Sequence, residues 1–382
     1  MNKKFISNKL RKLVAVLALS LALISPLSHA APADINKAME HASKSLAELI
    51  PYAYDDEQFR DKKNQRRISE LLVDLNGLFQ KKSNLLGQKS DTAWITLRVL
   101  QQHLQETADL YQAGYFAMSQ YLLTSTPALC STCHIQDSAH TSISSSLGKE
   151  SFANDFSYAE YLFTIRNYSD AKKYYLQYLT REEVKQSRFQ FTKPLERLLT
   201  IELAIVQSIP NSKALLRSQL ASLNQVEIQQ IVNDWIKGLD NITVAGAKNH
   251  GQLLKLFDDW FSNGPSMHHE FIMDESKRPQ AIWLRAKLFE YLNRTKNDNE
   301  TASTLYMLAI LDRVLGQEAP YSFANLYLKQ CVMLYPSTSS AQHCLQEYKN
   351  HLSFYYGGSA GEAVPEELVE EYLEMRKVLE SQ

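Results

Sequence analysis

Apolar residues recur along this chain at steps of three and four, and no stretch sustains a step of two. Ile35, Ala38, Met39, Ala42, Leu46, Leu49 and Ile50 share one helical stripe, and Ile68, Leu71, Leu72, Leu75, Leu78 and Phe79 share another. A third helix opens at Asp91, with Ala93, Leu97, Leu100, Leu104 and Tyr111 on one face. A fourth occupies roughly 113–124. Without the alternation of half-buried strands the class is all-α: an N-terminal helical bundle followed by an array of α-hairpins.

Polar or glycine-bearing stretches divide the pattern at 137–151, 241–251 and 355–365. Pro365 is expected in the first turn of a last helix, where its missing N–H costs nothing. Residues 31–150, 151–355 and 356–382 are therefore read as three regions. In the second, Ala159, Leu162, Tyr168, Ala171, Tyr175 and Leu179 place small residues where two antiparallel helices approach, and aromatic residues between them. This resembles a tetratricopeptide repeat, and 321–348 is similar, with Tyr335-Pro336 ending one helix and Ala341 opening the next. Weaker pairs are expected at 195–223 and 281–315. Tyr178 stands where the repeat has a small residue, and its closing proline is missing. Such arrays offer a concave face to protein partners.

Composition changes the picture at the N-terminus. Lys3, Lys4, Lys9, Arg11 and Lys12 precede a short apolar run from Leu13 to Ile24, then Pro26 and Ser28-His29-Ala30. This is the form of a secretory signal peptide, residues 1–30, whose removal leaves an exported, periplasmic chain with no membrane span. Taking those five basic residues from 41 leaves 36 against 42 acidic ones, a balance that gives no support to a nucleic-acid partner.

The four cysteines form two pairs, and outside the cytoplasm each pair needs a chemical reason. Cys331 and Cys344 flank Tyr335-Pro336-Ser337, so antiparallel helices would bring them together as a structural disulfide, with two buried free thiols as the alternative. Cys130-Ser131-Thr132-Cys133-His134 is the attachment motif of c-type haem. Cys130, Cys133 and His134 share one face of a helical turn. Two thioethers and a proximal imidazole can then come from adjacent positions. Thr126 and Pro127 are expected to start a short helix, 127–137. A thioredoxin-type pair needs a strand–helix–strand setting, and a zinc site needs further ligands. A plain disulfide leaves His134 unexplained.

The chain here resembles the c-type cytochromes, and within them the cytochrome c-prime and c556 group of four-helix bundles, which carry the motif on the last helix. The resemblance implies one covalent haem c, electron transfer rather than an enzymatic reaction, and a distal residue from the first helix, for which Met39 is the candidate. An interruption at Pro127 and a missing arginine after His134 depart from that group. Met39 as a core methionine, Met118 as ligand and an open iron position stay as alternatives. His103 reads as a hydrogen-bonded structural histidine, and His41 and His140 as exposed. The residues therefore point to a periplasmic monohaem cytochrome that docks a redox or assembly partner through its helical repeats, with a gas or redox sensor and an assembly adaptor as rivals. The basic run Arg60, Lys62, Lys63, Arg66 and Arg67 reads as a solvated helix end, and His268-His269-Glu270 as loop. No phosphate loop, nucleophile elbow or paired carboxylates suggest a hydrolase.

Overall fold

The computed structural model describes residues 32–85, 92–134, 147–242, 247–261, 274–315, 323–358 and 361–382; the side chains at 32–36, 38, 39, 43, 79–85, 92–99, 127–134, 323 and 362 fall outside that description. The described residues are all-α. The only strand pairing among them is a two-residue antiparallel ladder, Gly357–Gly358 with Gly361–Glu362. The chain divides into two compact units, Met1–His41 and Ala42–Gln382. No helix among the described residues is long and apolar enough to cross a membrane. Residues 1–31, with the expected signal peptide, lie outside them.

In chain order the first helices are α1 Pro32–Ala53, α2 Asp56–Arg60, α3 Lys62–Leu85, α4 Thr92–Gln112 and α5 Phe116–His134. Within the second unit α3 packs on α4 and α4 on α5. The stripes read from the sequence are their buried faces: Leu46, Leu49 and Ile50 on α1, Ile68, Leu72 and Leu75 on α3, Leu100 and Leu104 on α4. Tyr111 stacks edge-on against Phe59 and Phe116, with both pairs of ring centroids 5.0 Å apart, and its hydroxyl donates to the Phe59 carbonyl at 3.0 Å. The basic run at α2 and α3 is a solvated helix end. Arg60 pairs with Asp56 at 2.8 Å, Lys63 with the half-buried Asp61 at 2.9 Å and Arg66 with Glu70 at 2.9 Å, each at the surface and worth little to stability.

The chain continues through α6 Asp155–Thr164, α7 Tyr168–Leu179, α8 Glu182–Lys185, α9 Arg188–Thr200, α10 Ile209–Leu220, α11 Val226–Asp240, α12 His250–Phe261, α13 Lys277–Leu292, α14 Asp298–Val314, α15 Phe323–Leu334, α16 Ser339–Tyr356 and α17 Glu366–Glu380. Successive helices pack as α6 with α7, α13 with α14, α14 with α15, α15 with α16 and α16 with α17. Ala159 and Ala171 are fully buried between α6 and α7, which lets the two backbones approach. Gly238 serves a close approach of another kind. A Cβ there would overlap the carbonyl oxygen of Ser276 ahead of α13, so only glycine lets α11 sit where it does.

The start of the last helix differs from the sequence reading. Pro365 is the N-cap of α17 and not part of its first turn. Its ψ of 142° is extended, and its carbonyl takes the N–H groups of Leu368 and Val369, both at 3.1 Å. At the end of α9 the chain widens into a π-turn, Ile201–Ile205, with the Val206 N–H bonded to the Ile201 carbonyl at 2.9 Å. Glu202, fully buried in that turn, pairs with Lys172 of α7.

Cys331 on α15 and Cys344 on α16 are at disulfide distance, sulfurs 2.13 Å apart and Cα atoms 6.3 Å apart, and both are fully buried. Closing so short a loop restricts the unfolded chain, so the double change Cys331→Ser and Cys344→Ser should lower stability by about 3 kcal/mol. Urea unfolding monitored by circular dichroism checks this. An unchanged midpoint would mean that the cross-link adds nothing.

Candidate functional site

The motif Cys130-Ser131-Thr132-Cys133-His134 occupies the last turns of α5. The helix is one element from Phe116 to His134, so Thr126 and Pro127 do not start a new one, and the departure expected from an interruption at Pro127 falls away. A proline inside a helix forfeits its own N–H bond and crowds the carbonyl four residues back, here Leu123. The neighbouring Leu122 carbonyl is well supplied. Ser125 Oγ donates to it at 2.7 Å and His103 Nε2 at 3.0 Å. Thr126, expected as a cap, is instead buried inside α5, with its Oγ1 3.2 Å from the same histidine nitrogen.

Ser119, Leu122, Leu123 and Thr126 form the buried row of α5. Cys130 and Cys133 follow Thr126 by four and seven residues and His134 by eight, so all three continue that row at helical spacing. The row packs against α4 in antiparallel register. Ser119 Oγ donates to the Thr107 carbonyl at 2.8 Å, and His103 meets Leu122. Carried on, this register brings the first turns of α4, residues 92–97, level with the motif. The motif's own side chains lie outside the described residues. Two thiols and an imidazole at positions i, i+3 and i+4 of one helix are the donor set a covalently held haem requires.

The distal candidates separate. His103 is buried, and because a carbonyl only accepts, its Nε2 carries the hydrogen that goes to Leu122. Burial lowers its pKa to about 4, with the Leu122 bond pulling the other way. That nitrogen is committed, and His103 is the structural histidine the sequence suggested. Met118 stands on the same helix as His134, 16 residues earlier, which is about 24 Å along the axis at the α-helical rise. The two cannot face one iron. Met39 lies in the Met1–His41 unit, and its side chain lies outside the described ones. His41 is exposed. His140 and His268-His269-Glu270 lie outside the described residues. Among the described residues no three metal-binding side chains gather in one place.

His103 gives a pH dependence with a definite sign. Its folded pKa lies below the unfolded value, so the unfolded chain takes up the proton first. Stability should fall as pH drops from about 6.5 towards about 4, and level off below that for this residue. A His103→Gln variant should lose that slope. Thermal melts at pH 7, 6 and 5 measure it, and equal slopes in both proteins would contradict a neutral buried imidazole.

One buried electrostatic cluster was not read from the sequence. Glu160 of α6 is fully buried. It accepts from Tyr54 Oη at 2.8 Å and from Arg197 Nε at 3.0 Å and Nη2 at 3.3 Å, and the Tyr175 hydroxyl bonds it as well. These partners come from the α1–α2 junction, α7 and α9, so the cluster ties the helices before the polar stretch 137–151 to those after it. Lys193 stands over the rings of Phe189, Tyr54 and Phe156 at 5.5, 5.9 and 6.0 Å. The only sequence signal was Tyr158 to Leu179 as a helix pair, within which a buried glutamate is unmarked. No protein-family model matches this chain, and neither does any curated protein or solved structure.

Proposed function

We propose that this chain is an exported c-type cytochrome that holds one haem at the end of α5 and uses its helical hairpins to dock a redox or assembly partner. The observation that carries the reading is the unbroken α5, which sets Cys130, Cys133 and His134 on a continuation of its buried row. In this reading the Cys130 and Cys133 thiols add across the two vinyl groups of one porphyrin, and His134 supplies the proximal imidazole. Bound there, the haem contributes a one-electron iron couple. The chain's own share is to fix the donor spacing and to shield one side of the site with α4. Export, with residues 1–30 as the signal, would deliver the thiols to the compartment where c-type haem is attached.

Met39 is the proposed second protein ligand, and an open iron position is the alternative. An open position would favour a gas or redox sensor over an electron carrier. Haem staining of a denaturing gel, with the intact mass of the same sample, tests attachment and signal removal together. Mature protein from a maturation-competent host should stain and weigh one haem more than residues 31–382. A colourless product of bare polypeptide mass would overturn the reading. A visible spectrum of the reduced protein that shifts under carbon monoxide would place it with the sensors. An unchanged spectrum would place it with six-coordinate carriers.

A further inference from the structure

Helix α17 packs on both α15 and α16. Its inner face is marked by Met375, fully buried, and by Glu371, which accepts from the Tyr348 hydroxyl of α16 at 2.7 Å and pairs with Lys329 of α15. The opposite face is exposed along its length and carries Val369, Glu370, Leu373, Arg376 and Lys377. Val369 and Leu373 stand one turn apart on it and keep 39% and 48% of their surface open. The charges around them are ordered. Glu370 and Lys377 are seven residues apart, so they lie on one side of Leu373, with the acid ahead of it and the base behind. Val369 and Arg376, also seven apart, lie on the other side, with the apolar residue ahead and the base behind.

We propose that this face is a contact between two copies of the chain, with the two α17 helices antiparallel and a two-fold axis passing at Leu373. Such an axis reverses the direction of the helix but leaves each side on its own side. Leu373 then meets Leu373 of the second copy. Glu370 stands about 4.5 Å before the axis and Lys377 about 6 Å beyond it, at the α-helical rise, so each reaches the other across the contact. On the opposite side the stem of Arg376 covers Val369 of the second copy. At the ends Glu366 comes towards Glu380, but Glu380 is already neutralised by Arg376 of its own helix at 3.0 Å. A parallel pair would instead set Glu370 against Glu370 and Lys377 against Lys377. A second copy supplies the same acid-to-base order in reverse. The contact does not depend on the haem reading.

Sedimentation velocity of the full mature chain tests this, from about 5 to about 300 µM, the span suited to a contact below the standard interface size. The parent should sediment faster as its concentration rises. Leu373→Asp should stay monomeric. Glu370→Lys and Lys377→Glu should each associate about ten-fold more weakly than the parent, through like charges set opposite each other. An equimolar mixture of these two variants should recover the parent's association, because each copy then offers the charge the other lacks. All three positions are exposed, so the variants should fold as the parent does. Leu373→Cys should cross-link to its own copy in oxidised glutathione, and Val369→Cys, about 12 Å from its counterpart along the helix, should not. A parent whose sedimentation is independent of concentration, a Leu373→Asp protein that associates like the parent, or a mixture no stronger than its two components would overturn the proposal.

Discussion

Arg197→Leu is expected to cost the fold about 3–5 kcal/mol, the range for removing one partner of a buried ion pair. The reason is what it leaves behind. Glu160 has no exposed surface, and without the guanidinium its charge would be held by the hydroxyls of Tyr54 and Tyr175 and by Lys193 standing nearby. Burial by itself would raise the Glu160 pKa. The charges of Arg197 and Lys193, with the hydrogen bonds from Arg197 and Tyr175, overcome that and keep it below the ordinary carboxylate value. The double variant Glu160→Leu, Arg197→Leu should be less destabilised than Arg197→Leu alone, because no buried charge is then orphaned. Urea unfolding of the parent, both single variants and the double variant gives the coupling directly. A loss under about 1 kcal/mol for Arg197→Leu would mean that water or Lys193 already satisfies Glu160. The pH dependence has one sign. Glu160 titrates lower in the fold than in the unfolded chain, so its contribution is complete above the ordinary carboxylate range and is lost as pH falls through the folded value. The acid limb of the parent should be steeper than that of Arg197→Leu.

The same cluster shows where sequence reasoning stops. Helical stripes are legible because burial repeats with the helix, and Leu72, Leu104 and Tyr175 are each where their stripe put them. The cysteine pair across Tyr335-Pro336 is legible because two helices joined by a short loop must run side by side. Glu160 is not, since a single glutamate on a helix is as a rule solvated. Only the convergence of Tyr54, Tyr175 and Arg197, which lie 106, 15 and 37 residues away, makes its burial tolerable. Such convergence is a property of the tertiary fold. Pro127 misleads for a related reason. Local rules make it a helix start, but α5 runs through it as one element, and Thr126, the expected cap, is buried against His103 of α4, a contact supplied by packing. Of the site itself, the motif and its spacing were plain from the sequence. So was His103 as a structural histidine, but that α5 runs through the motif without a break, which sets Met118 about 24 Å from His134 along one axis, was not.

That continuity makes the strongest test of the haem reading one of spacing, more than of residue identity. Cys130→Ser with Cys133→Ser is expected to abolish covalent haem completely while leaving the helical circular dichroism intact, because the motif ends α5 and the packed rows before it do not depend on the two sulfurs. This loss alone does not distinguish a haem site from another use of two thiols. An alanine inserted between Ser131 and Thr132 does. It keeps both cysteines and the histidine but turns Cys133 and His134 by about 100° relative to Cys130, at 3.6 residues per turn. Two thiols at the end of a helix can still meet in a disulfide after local fraying. Two thioethers to fixed vinyl positions, with an imidazole adjacent, set three positions at once, so fraying that restores one pair of thiols does not restore the whole donor set. The insertion should therefore give a folded protein without haem stain. His134→Ala, in contrast, should keep some covalent porphyrin if the thiols alone suffice for attachment, but lose the proximal imidazole and with it the spectrum of the parent. A chain with the inserted alanine that stains as strongly as the parent would show that helical register at Cys130, Cys133 and His134 has no part in holding the group.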